Sequence, residues 1–161
     1  MARCLIVGCG CRGRALAGEL RRRGHVVRGT TRRAEHLAEI ERAGAEAVLA
    51  DPDRVATLAP ALDQVGVACI LLGSASGSAE QLRALHGPRL EMLLVRVLDT
   101  TVRGVVYEAR GSVAREILDA GAAIVRGACE ASKIPYSLLD ADPAKHQRWL
   151  AVAARAVESN L

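Results

Sequence analysis

Aromatic residues are scarce in this sequence of 161 residues, which has no Phe, one Trp and two Tyr. Because half of the residues are nevertheless hydrophobic, the core must be built from Leu, Val, Ile and Ala. Sites that stack single-stranded nucleic acid need several exposed aromatic side chains. The composition therefore argues against a nucleic-acid partner and favours an ordinary folded domain.

Long hydrophobic runs are also missing. The longest are residues 5–7, 67–72 and 92–95, whereas a helix that spans a bilayer needs about 20 apolar residues. The first apolar run reaches glycine at position 8, too soon for a signal peptide. We expect a cytoplasmic protein with no membrane partner.

The cysteines and histidines show no metal-binding pattern. Five cysteines without a C-x-x-C pair argue against a disulfide framework. Cys9 and Cys11 lack a second pair or a histidine at zinc spacing, and no two histidines are four residues apart, so we expect no metal. Cys9 and Cys11 would be reactive if a helix N-terminus lowered their pKa, or they could simply be small residues in a tight loop. Cys4 and Cys69 are expected in the core. The four histidines are expected at surface or boundary positions (His25, His36, His86, His146).

Positive charge is concentrated at the start of the chain. The first 33 residues contain nine arginines and one glutamate, a local charge of +8, so the remaining residues carry −4 of the total of +4. Nucleic-acid binders spread their basic residues over a face or groove. A single basic corner better suits a small anionic ligand, although a general preference for Arg over Lys is the alternative explanation.

Short apolar runs alternate with helical patterns along the chain. Strands are predicted at 3–7, 25–28, 45–50, 67–72, 104–107 and 135–139. Helices are predicted at 12–23, 33–43, 54–62, 79–85, 88–98, 112–132 and 143–158. Ser112 is a candidate N-cap, and Gly121 and Gly127 should weaken that helix enough to bend or break it.

Nearly continuous hydrophobic strands alternating with helices indicate a parallel sheet that is covered on both faces. We therefore expect an α/β, doubly wound, six-stranded parallel sheet of the Rossmann type, with three layers and strand order 3-2-1-4-5-6. Residues 1–161 would form a single domain that leaves little chain for a separate substrate domain.

The motif Gly8-x-Gly10-x-x-Gly13 follows the first strand and opens the first helix, which is the context that a dinucleotide-binding motif requires. Gly8 would allow the sharp turn, Gly10 would let a pyrophosphate approach the backbone, and Gly13 would let the helix pack on the sheet. Cys11 and Arg12 would then border the phosphates at the helix N-terminus. The alternative is a tight turn that binds no ligand.

The end of the second strand indicates which dinucleotide would bind. An NAD site places an acidic residue about 20 residues after the motif to bind the ribose, but residues 28–33 contain no carboxylate. Thr31, Arg32 and Arg33, joined by Arg12, could instead hold a 2′-phosphate through charge-assisted hydrogen bonds. This favours NADP over NAD, unless the arginines are only solvated first-turn residues of the next helix.

Two further positions follow strands. Asp51 could accept a hydrogen bond from the adenine amino group, or it could cap the following helix. Gly73 and Ser74 would let the ribose of the cofactor approach the backbone, or they could form a simple turn.

Residues 5–13, 24–32 and 44–51 together resemble the cofactor half of atypical, extended-type short-chain dehydrogenase/reductases, which include the nucleoside-diphosphate-sugar epimerase-like proteins. The resemblance continues more loosely at 103–107 and 133–139, which look like the fifth and sixth strands of that family. It implies that the three glycines of the motif hold the pyrophosphate and that Arg32 binds the 2′-phosphate. It also implies that Asp51 contacts the adenine and that Gly73 passes beside the nicotinamide ribose.

The sequence departs from that family at its catalytic positions. Active members carry a Tyr-x-x-x-Lys pair on the helix after the fifth strand, where the tyrosine is the acid or base. That helix has no Tyr here, and the family's serine is replaced in the segment Glu108-Ala109-Arg110, which we expect to form a salt-bridged turn. Tyr107 and Ser112 remain as the only catalytic candidates.

Three functions are compatible with these observations. The first is an NADP(H)-binding protein without hydride-transfer machinery, which would act as a cofactor-sensing or regulatory module or be completed by a partner. The second is an NADP-dependent oxidoreductase or epimerase that acts on a small carbonyl or sugar-nucleotide substrate. The third is a Rossmann fold without a nucleotide. We also expect a homodimer formed through the helices at 88–99 and 112–131.

Overall fold

A computed structural model describes residues 2–161, which form one six-stranded sheet with helices on both faces. The strands are β1 (Arg3–Val7), β2 (Val26–Thr31), β3 (Glu46–Leu49), β4 (Val67–Ile70), β5 (Gly104–Glu108) and β6 (Tyr136–Leu139). The helices are α1 (Cys11–Arg22), α2 (Leu37–Arg42), α3 (Ala79–Leu85), α4 (Pro88–Leu98), α5 (Arg115–Ala131) and α6 (His146–Glu158). Two 3-10 helices occupy Ala34–His36 and Val55–Leu62.

All neighbouring strands of the sheet are parallel, in the order β3-β2-β1-β4-β5-β6. This confirms the doubly wound Rossmann topology predicted from the sequence. The strand order reverses between β1 and β4, and in such sheets the crevice outside the carboxyl ends of the strands at that point is where ligands bind.

Two hydrophobic layers hold the helices to the sheet. One face of the sheet packs against α1, α2 and α6, with Ile6, Leu16 and Trp149 fully buried. The other packs against the second 3-10 helix, α4 and α5, with residues such as Leu58 and Leu94 buried. Each such side chain contributes about 1.5–3 kcal/mol by leaving water. No helix within residues 2–161 is both long and apolar enough to cross a membrane.

Several predicted boundaries were wrong for identifiable reasons. β2 continues to Thr31 because Thr30 and Thr31 pair with Val48 and Leu49 of β3. The helix expected at 54–62 is a 3-10 helix that contains Pro60. In an α-helix the proline ring would clash with the carbonyl group four residues earlier. The helix expected from Ser112 begins at Arg115, so Ser112 is not its N-cap.

The helix α5 is not broken at Gly121 or Gly127, contrary to expectation, and at Gly121 the missing side chain makes room for a neighbour. A Cβ atom at this position would collide with the Tyr107 hydroxyl group, which lies directly against the helix backbone. α5 runs without interruption from Arg115 to Ala131. Gly121 therefore lowers the stability of the helix locally, but it allows the side chain of Tyr107 to be buried beneath α5.

Candidate functional site

A cleft of about 750 Å³ opens at the carboxyl ends of β1, β2 and β4. Its walls are formed by the turn after β1, the end of β2, the start of the following helical segment, and the segments after β3 and β4. The lining residues are 8–14, 30–32, 36, 39, 50, 52–53, 71–72, 74–77, 81–82 and 85. The cleft thus coincides with the point where the strand order reverses.

The turn after β1 is held tightly against β2. The backbone of Gly8 has a positive φ of 82°, which favours glycine, and a Cβ atom there would lie 2.6 Å from the Leu71 carbonyl oxygen. The Gly8 N–H group donates to Thr30 Oγ1 at 3.2 Å, and the Cys9 N–H group donates to the Thr30 carbonyl at 2.9 Å. Thr30 therefore fixes the direction in which the turn leaves the sheet.

Gly10 and Gly13 have different surroundings. Nothing lies within 4 Å of a Cβ atom built at Gly10, so this side of the turn is open to the cleft. At Gly13 the same atom would lie 3.3 Å from the Gly8 carbonyl oxygen and 3.3 Å from Ile6 Cγ2. The prediction that Gly13 allows close packing of α1 on the sheet is confirmed.

The N-terminus of α1 presents unused backbone donors to the cleft. Arg14 is the first residue whose N–H group bonds back, to the Gly10 carbonyl at 2.8 Å. The N–H groups of residues 11–13 therefore have no intrahelical acceptor. No acidic residue occupies the first turn of α1, so the positive end of the helix dipole is not neutralised there.

The two arginines after β2 differ in their position relative to the cleft. Arg32 lines the cleft, whereas Arg33 is exposed and lies outside its walls. Thr31 Oγ1 accepts a hydrogen bond from the Arg33 N–H group at 3.2 Å, which fixes the turn that carries both arginines. Of the predicted pair, the structure brings only Arg32 to the cleft.

Arg14 is a cation of the cleft that the sequence analysis missed. Its Nη1 lies 3.2 Å from Glu39 Oε2, and the same carboxylate oxygen lies 3.5 Å from His36 Nδ1. All three residues line the cleft near the end of β2. Helical geometry could have identified Arg14, because residues two apart on an α-helix point about 200° apart and cannot share a direction.

Arg12 points away from the end of β2, so its expected place beside Arg32 and Arg33 is wrong. Its Nη2 donates to Ser74 Oγ at 3.1 Å and to Glu108 Oε2 at 3.0 Å. The guanidinium carbon also lies 5.6 Å from the ring centroid of Trp149, a cation–π contact. Arg12 therefore bridges α1 to the ends of β4 and β5.

Glu108 is a buried carboxylate whose partner is Arg12, so the expected salt bridge to Arg110 is wrong. Its side chain has no exposed surface, and Oε1 accepts a hydrogen bond from the Gly73 N–H group at 2.9 Å. Burial raises the pKa of Glu108, while the Arg12 guanidinium and the Gly73 N–H group oppose that rise. Arg110 instead lies 3.7 Å from Asp142.

Gly73 makes room for the Glu108 carboxylate and donates a hydrogen bond to it. A Cβ atom at this position would lie 2.8 Å from Glu108 Cγ, and Gly73 is not among the residues that line the cleft. The expectation that it approaches a ribose is therefore not met, because a protein side chain fills that space. Its neighbour Ser74 does line the cleft.

Tyr107 lies in the core and does not reach the cleft. Its hydroxyl group donates to His86 Nδ1 at 2.6 Å, and His86 Nε2 donates to the Leu72 carbonyl oxygen at 3.0 Å. This assignment follows because a carbonyl can only accept. Burial raises the pKa of Tyr107 and lowers that of His86, so it favours the neutral form of both side chains. The expectation that His86 is a surface or boundary residue was wrong.

The remaining candidates play local structural roles. Ser112 is exposed outside the cleft, and its N–H group donates to Ser74 Oγ at 3.1 Å. Asp51 Oδ1 accepts a hydrogen bond from the Asp53 N–H group at 2.9 Å, which closes a turn ahead of the second 3-10 helix. The N-cap of that helix is Arg54, so Asp51 does not cap it. Pro52 and Asp53 line the cleft in its place.

The two cysteines of the turn differ in environment. Cys9 is buried, and burial raises the pKa of its thiol to about 12, which makes it unreactive. Cys11 is exposed and lines the cleft. Cys4 and Cys69 are buried as predicted. Within residues 2–161, no group of His, Cys, Asp and Glu side chains could hold a metal ion.

Comparison with known proteins identifies the fold. A short-chain dehydrogenase/reductase superfamily protein from Agrobacterium tumefaciens with bound NAD superposes on 98% of this chain and 62% of its own, at 19% identity and a TM-score of 0.69. The Citrobacter sp. triphenylmethane reductase complexed with NADP(H) matches 84% of this chain and 48% of its own, at 18% identity and a TM-score of 0.65. UDP-glucose 4-epimerase from Thermotoga maritima matches 84% and 54%, at 11% identity and a TM-score of 0.70.

This chain has the Rossmann fold of the short-chain dehydrogenase/reductases and epimerases. It spans between 48% and 62% of the length of these three proteins. No protein-family model and no curated protein matches its sequence.

Within this fold, the predicted site residues divide into two groups. Those that line the cleft are Gly8, Gly10, Cys11, Arg12, Gly13, Thr31, Arg32 and Ser74; those that do not are Arg33, Asp51, Gly73, Tyr107 and Ser112. The group inside the cleft contains backbone donors, hydroxyl groups and guanidinium groups. Such an arrangement can bind an anion.

Proposed function

We propose that this chain binds NADP(H) without transferring hydride, as a cofactor-sensing or regulatory module or as a subunit that a partner completes. One observation carries the proposal. The cleft joins an open glycine turn with free backbone donors to Arg32, at the end of a strand where an NAD site would carry an acidic residue. The two features are matched to a pyrophosphate and a 2′-phosphate.

The pyrophosphate would bind at the start of α1. The free N–H groups of residues 11–13 and the unneutralised helix dipole favour an anion there. Gly10 contributes by having no side chain, since the space around its Cα is empty. The Thr30 hydroxyl group stabilises the turn by accepting from Gly8, so the donors are held in place before the ligand arrives.

The 2′-phosphate would bind Arg32. This side chain makes no hydrogen bond or ion pair with any residue of the described range 2–161, whereas Arg14 is already paired with Glu39. A guanidinium group can bind a phosphate through two parallel hydrogen bonds. The neighbouring proteins of the same fold were solved with NAD or NADP(H), so they support a nicotinamide dinucleotide of either kind, and the preference for NADP(H) rests on Arg32.

The absence of hydride transfer is proposed from the tyrosines. The sequence has only two, and neither is followed four residues later by lysine. The Tyr107 hydroxyl group is used by His86, and the Tyr136 hydroxyl group donates to Glu130 at 2.7 Å, outside the cleft. NADPH mixed with a panel of carbonyl compounds should therefore not be oxidised. Turnover that is lost in Tyr107→Phe would contradict this part of the proposal.

The substitution Gly10→Thr tests the binding site directly. The backbone of Gly10 is extended, with φ of −82°, and the space around it is empty, so the fold should accept threonine. Its hydroxyl group would cap the N–H groups of α1, and its bulk would occupy the phosphate position. We expect an unchanged melting temperature without ligand and the loss of stabilisation by NADP+, which at 100 times Kd should be about 2.7 kcal/mol in the unmodified protein.

NADP+ binding that survives in Gly10→Thr would place the nucleotide elsewhere. If NADP+ does not stabilise the unmodified protein at any concentration, the third function from the sequence analysis, a fold without nucleotide, is favoured.

We further propose a homodimer through α4 and α5. An apolar groove of about 350 Å³ lies between these helices, lined by side chains that include Leu94, Leu98 and Ile124. Val95 is 66% exposed and Met92 is 50% exposed beside it. Sedimentation should show a dimer that Val95→Glu converts to a monomer, and a species of 17 kDa alone at all concentrations would contradict the proposal.

A further inference from the structure

The cleft stops short of the second half of a dinucleotide site. Rossmann sheets carry two mononucleotide-binding halves, and the second is built on the strands that follow the reversal of strand order. Every residue that lines the cleft in the described part of this chain is at position 85 or earlier. β5, β6 and the segments that follow them contribute no wall.

The Arg12–Glu108 ion pair covers the carboxyl ends of β4 and β5 beside the cleft. Arg12 spans from α1 to Ser74 and Glu108, with the Trp149 ring on one side of its guanidinium group. Because the Glu108 side chain is fully buried, displacement of Arg12 would leave a buried carboxylate without its cation, which is strongly unfavourable. A ligand would have to displace this pair in order to lie across β5.

The segment between β5 and α5 is fastened over the end of β4. The Val113 N–H group donates to the Gly73 carbonyl at 3.0 Å, and the Ser112 N–H group donates to Ser74 Oγ at 3.1 Å. Gly111 packs so closely that a Cβ atom there would collide with the Gly73 carbonyl oxygen. The two segments are therefore in direct contact at the place where a ribose would have to pass.

We propose that the site recognises the 2′-phosphoadenosine diphosphate half of its ligand and leaves the second nucleoside without a binding site. This inference rests on the proposed function, and it changes the ligand class to 2′-phosphorylated adenosine diphosphates in general. NADP+, NADPH and 2′-phospho-ADP-ribose share that half, so the chain binds them equally. A protein with this selectivity responds to the total amount of the phosphorylated nucleotide and not to its redox state.

Calorimetry with a series of ligands tests the inference on the unmodified protein. We expect the Kd values of NADP+, NADPH and 2′-phospho-ADP-ribose to agree within about threefold, since one hydrogen bond of difference would already change Kd by about tenfold. Binding of either coenzyme that is more than tenfold tighter than that of 2′-phospho-ADP-ribose overturns the inference and leaves the proposed function standing. If none of the three binds, both are wrong.

The fluorescence of Trp149 provides a second readout, because it is the only tryptophan and its ring contacts Arg12. If the second nucleoside stays outside, saturating NADP+ and saturating 2′-phospho-ADP-ribose should change the emission of Trp149 equally. A change produced by NADP+ alone would show that the nicotinamide half displaces Arg12, and the inference would fail. Arg110→Ala is a matched control, because it removes an exposed ion pair beside the closed edge and should leave all Kd values unchanged.

Discussion

The paired substitutions Arg32→Ala and Arg33→Ala test how this chain would select its coenzyme. The two arginines are adjacent and both exposed, but only Arg32 lines the cleft. A hydrogen bond to a charged group contributes about 1.5–3 kcal/mol, and 1.4 kcal/mol corresponds to a tenfold change in Kd. Because Arg32 is exposed to solvent, we expect the lower end of this range and a loss of about tenfold in NADP+ affinity for Arg32→Ala.

The assay is isothermal titration calorimetry of both variants and the unmodified protein with NADP+ and NAD+. Arg33→Ala should bind NADP+ as the unmodified protein does, and Arg32→Ala should leave NAD+ affinity unchanged because NAD+ has no 2′-phosphate. Melting temperatures without ligand should be nearly equal, since exposed substitutions change stability by less than about 0.5 kcal/mol. An equal loss of NADP+ affinity in both variants would indicate general attraction by positive charge, and no loss in Arg32→Ala would refute the assigned contact.

Two further predictions concern the core. Gly121→Ala should destabilise the protein by about 1–3 kcal/mol, as expected for overpacking against Tyr107. Gly127→Ala should stabilise it by up to about 1 kcal/mol, because no atom lies within 4 Å of the added Cβ. Chemical denaturation measures both changes, and stabilisation by both substitutions would show that Tyr107 is not fixed. Burial lowers the pKa of His86 below its ordinary value of 6.5, so the unfolded chain binds a proton at this residue more readily than the folded protein does. The contribution of His86 to stability should therefore be fully present above pH 6.5 and should fall as the pH drops below it. Urea unfolding of His86→Gln should show a weaker dependence between pH 7 and pH 5, and an unchanged dependence would assign the effect to other groups.

Most of the fold follows from local sequence patterns. The apolar runs of β1 and β4 predicted buried parallel strands, and the spacing of Gly8, Gly10 and Gly13 predicted the turn into α1. These features depend on residues that are close in the chain. That residues 54–62 do not form a regular α-helix could also have been predicted, because Pro60 lies inside this segment.

The contacts that define the far edge of the cleft could not be predicted in this way. Arg12 and Glu108 are 96 residues apart in sequence, and Tyr107 is 21 residues from His86. Neither pairing leaves a local pattern, because each joins residues that lie far apart in the chain. As a result, the partner of Arg12 was not predicted. Arg14 was overlooked for a different reason, because the angle of about 200° between residues two apart on a helix would already have separated it from Arg12.

The cleft should prefer a dinucleotide that carries a 2′-phosphate over one that does not. The most direct measurement is a calorimetric comparison of NADP+ and NAD+ binding to the unmodified protein under the same conditions. The structure predicts that NADP+ binds at least about tenfold more tightly, because one free guanidinium group distinguishes the two ligands. Tighter binding of NAD+, or no heat with either coenzyme, would contradict this preference.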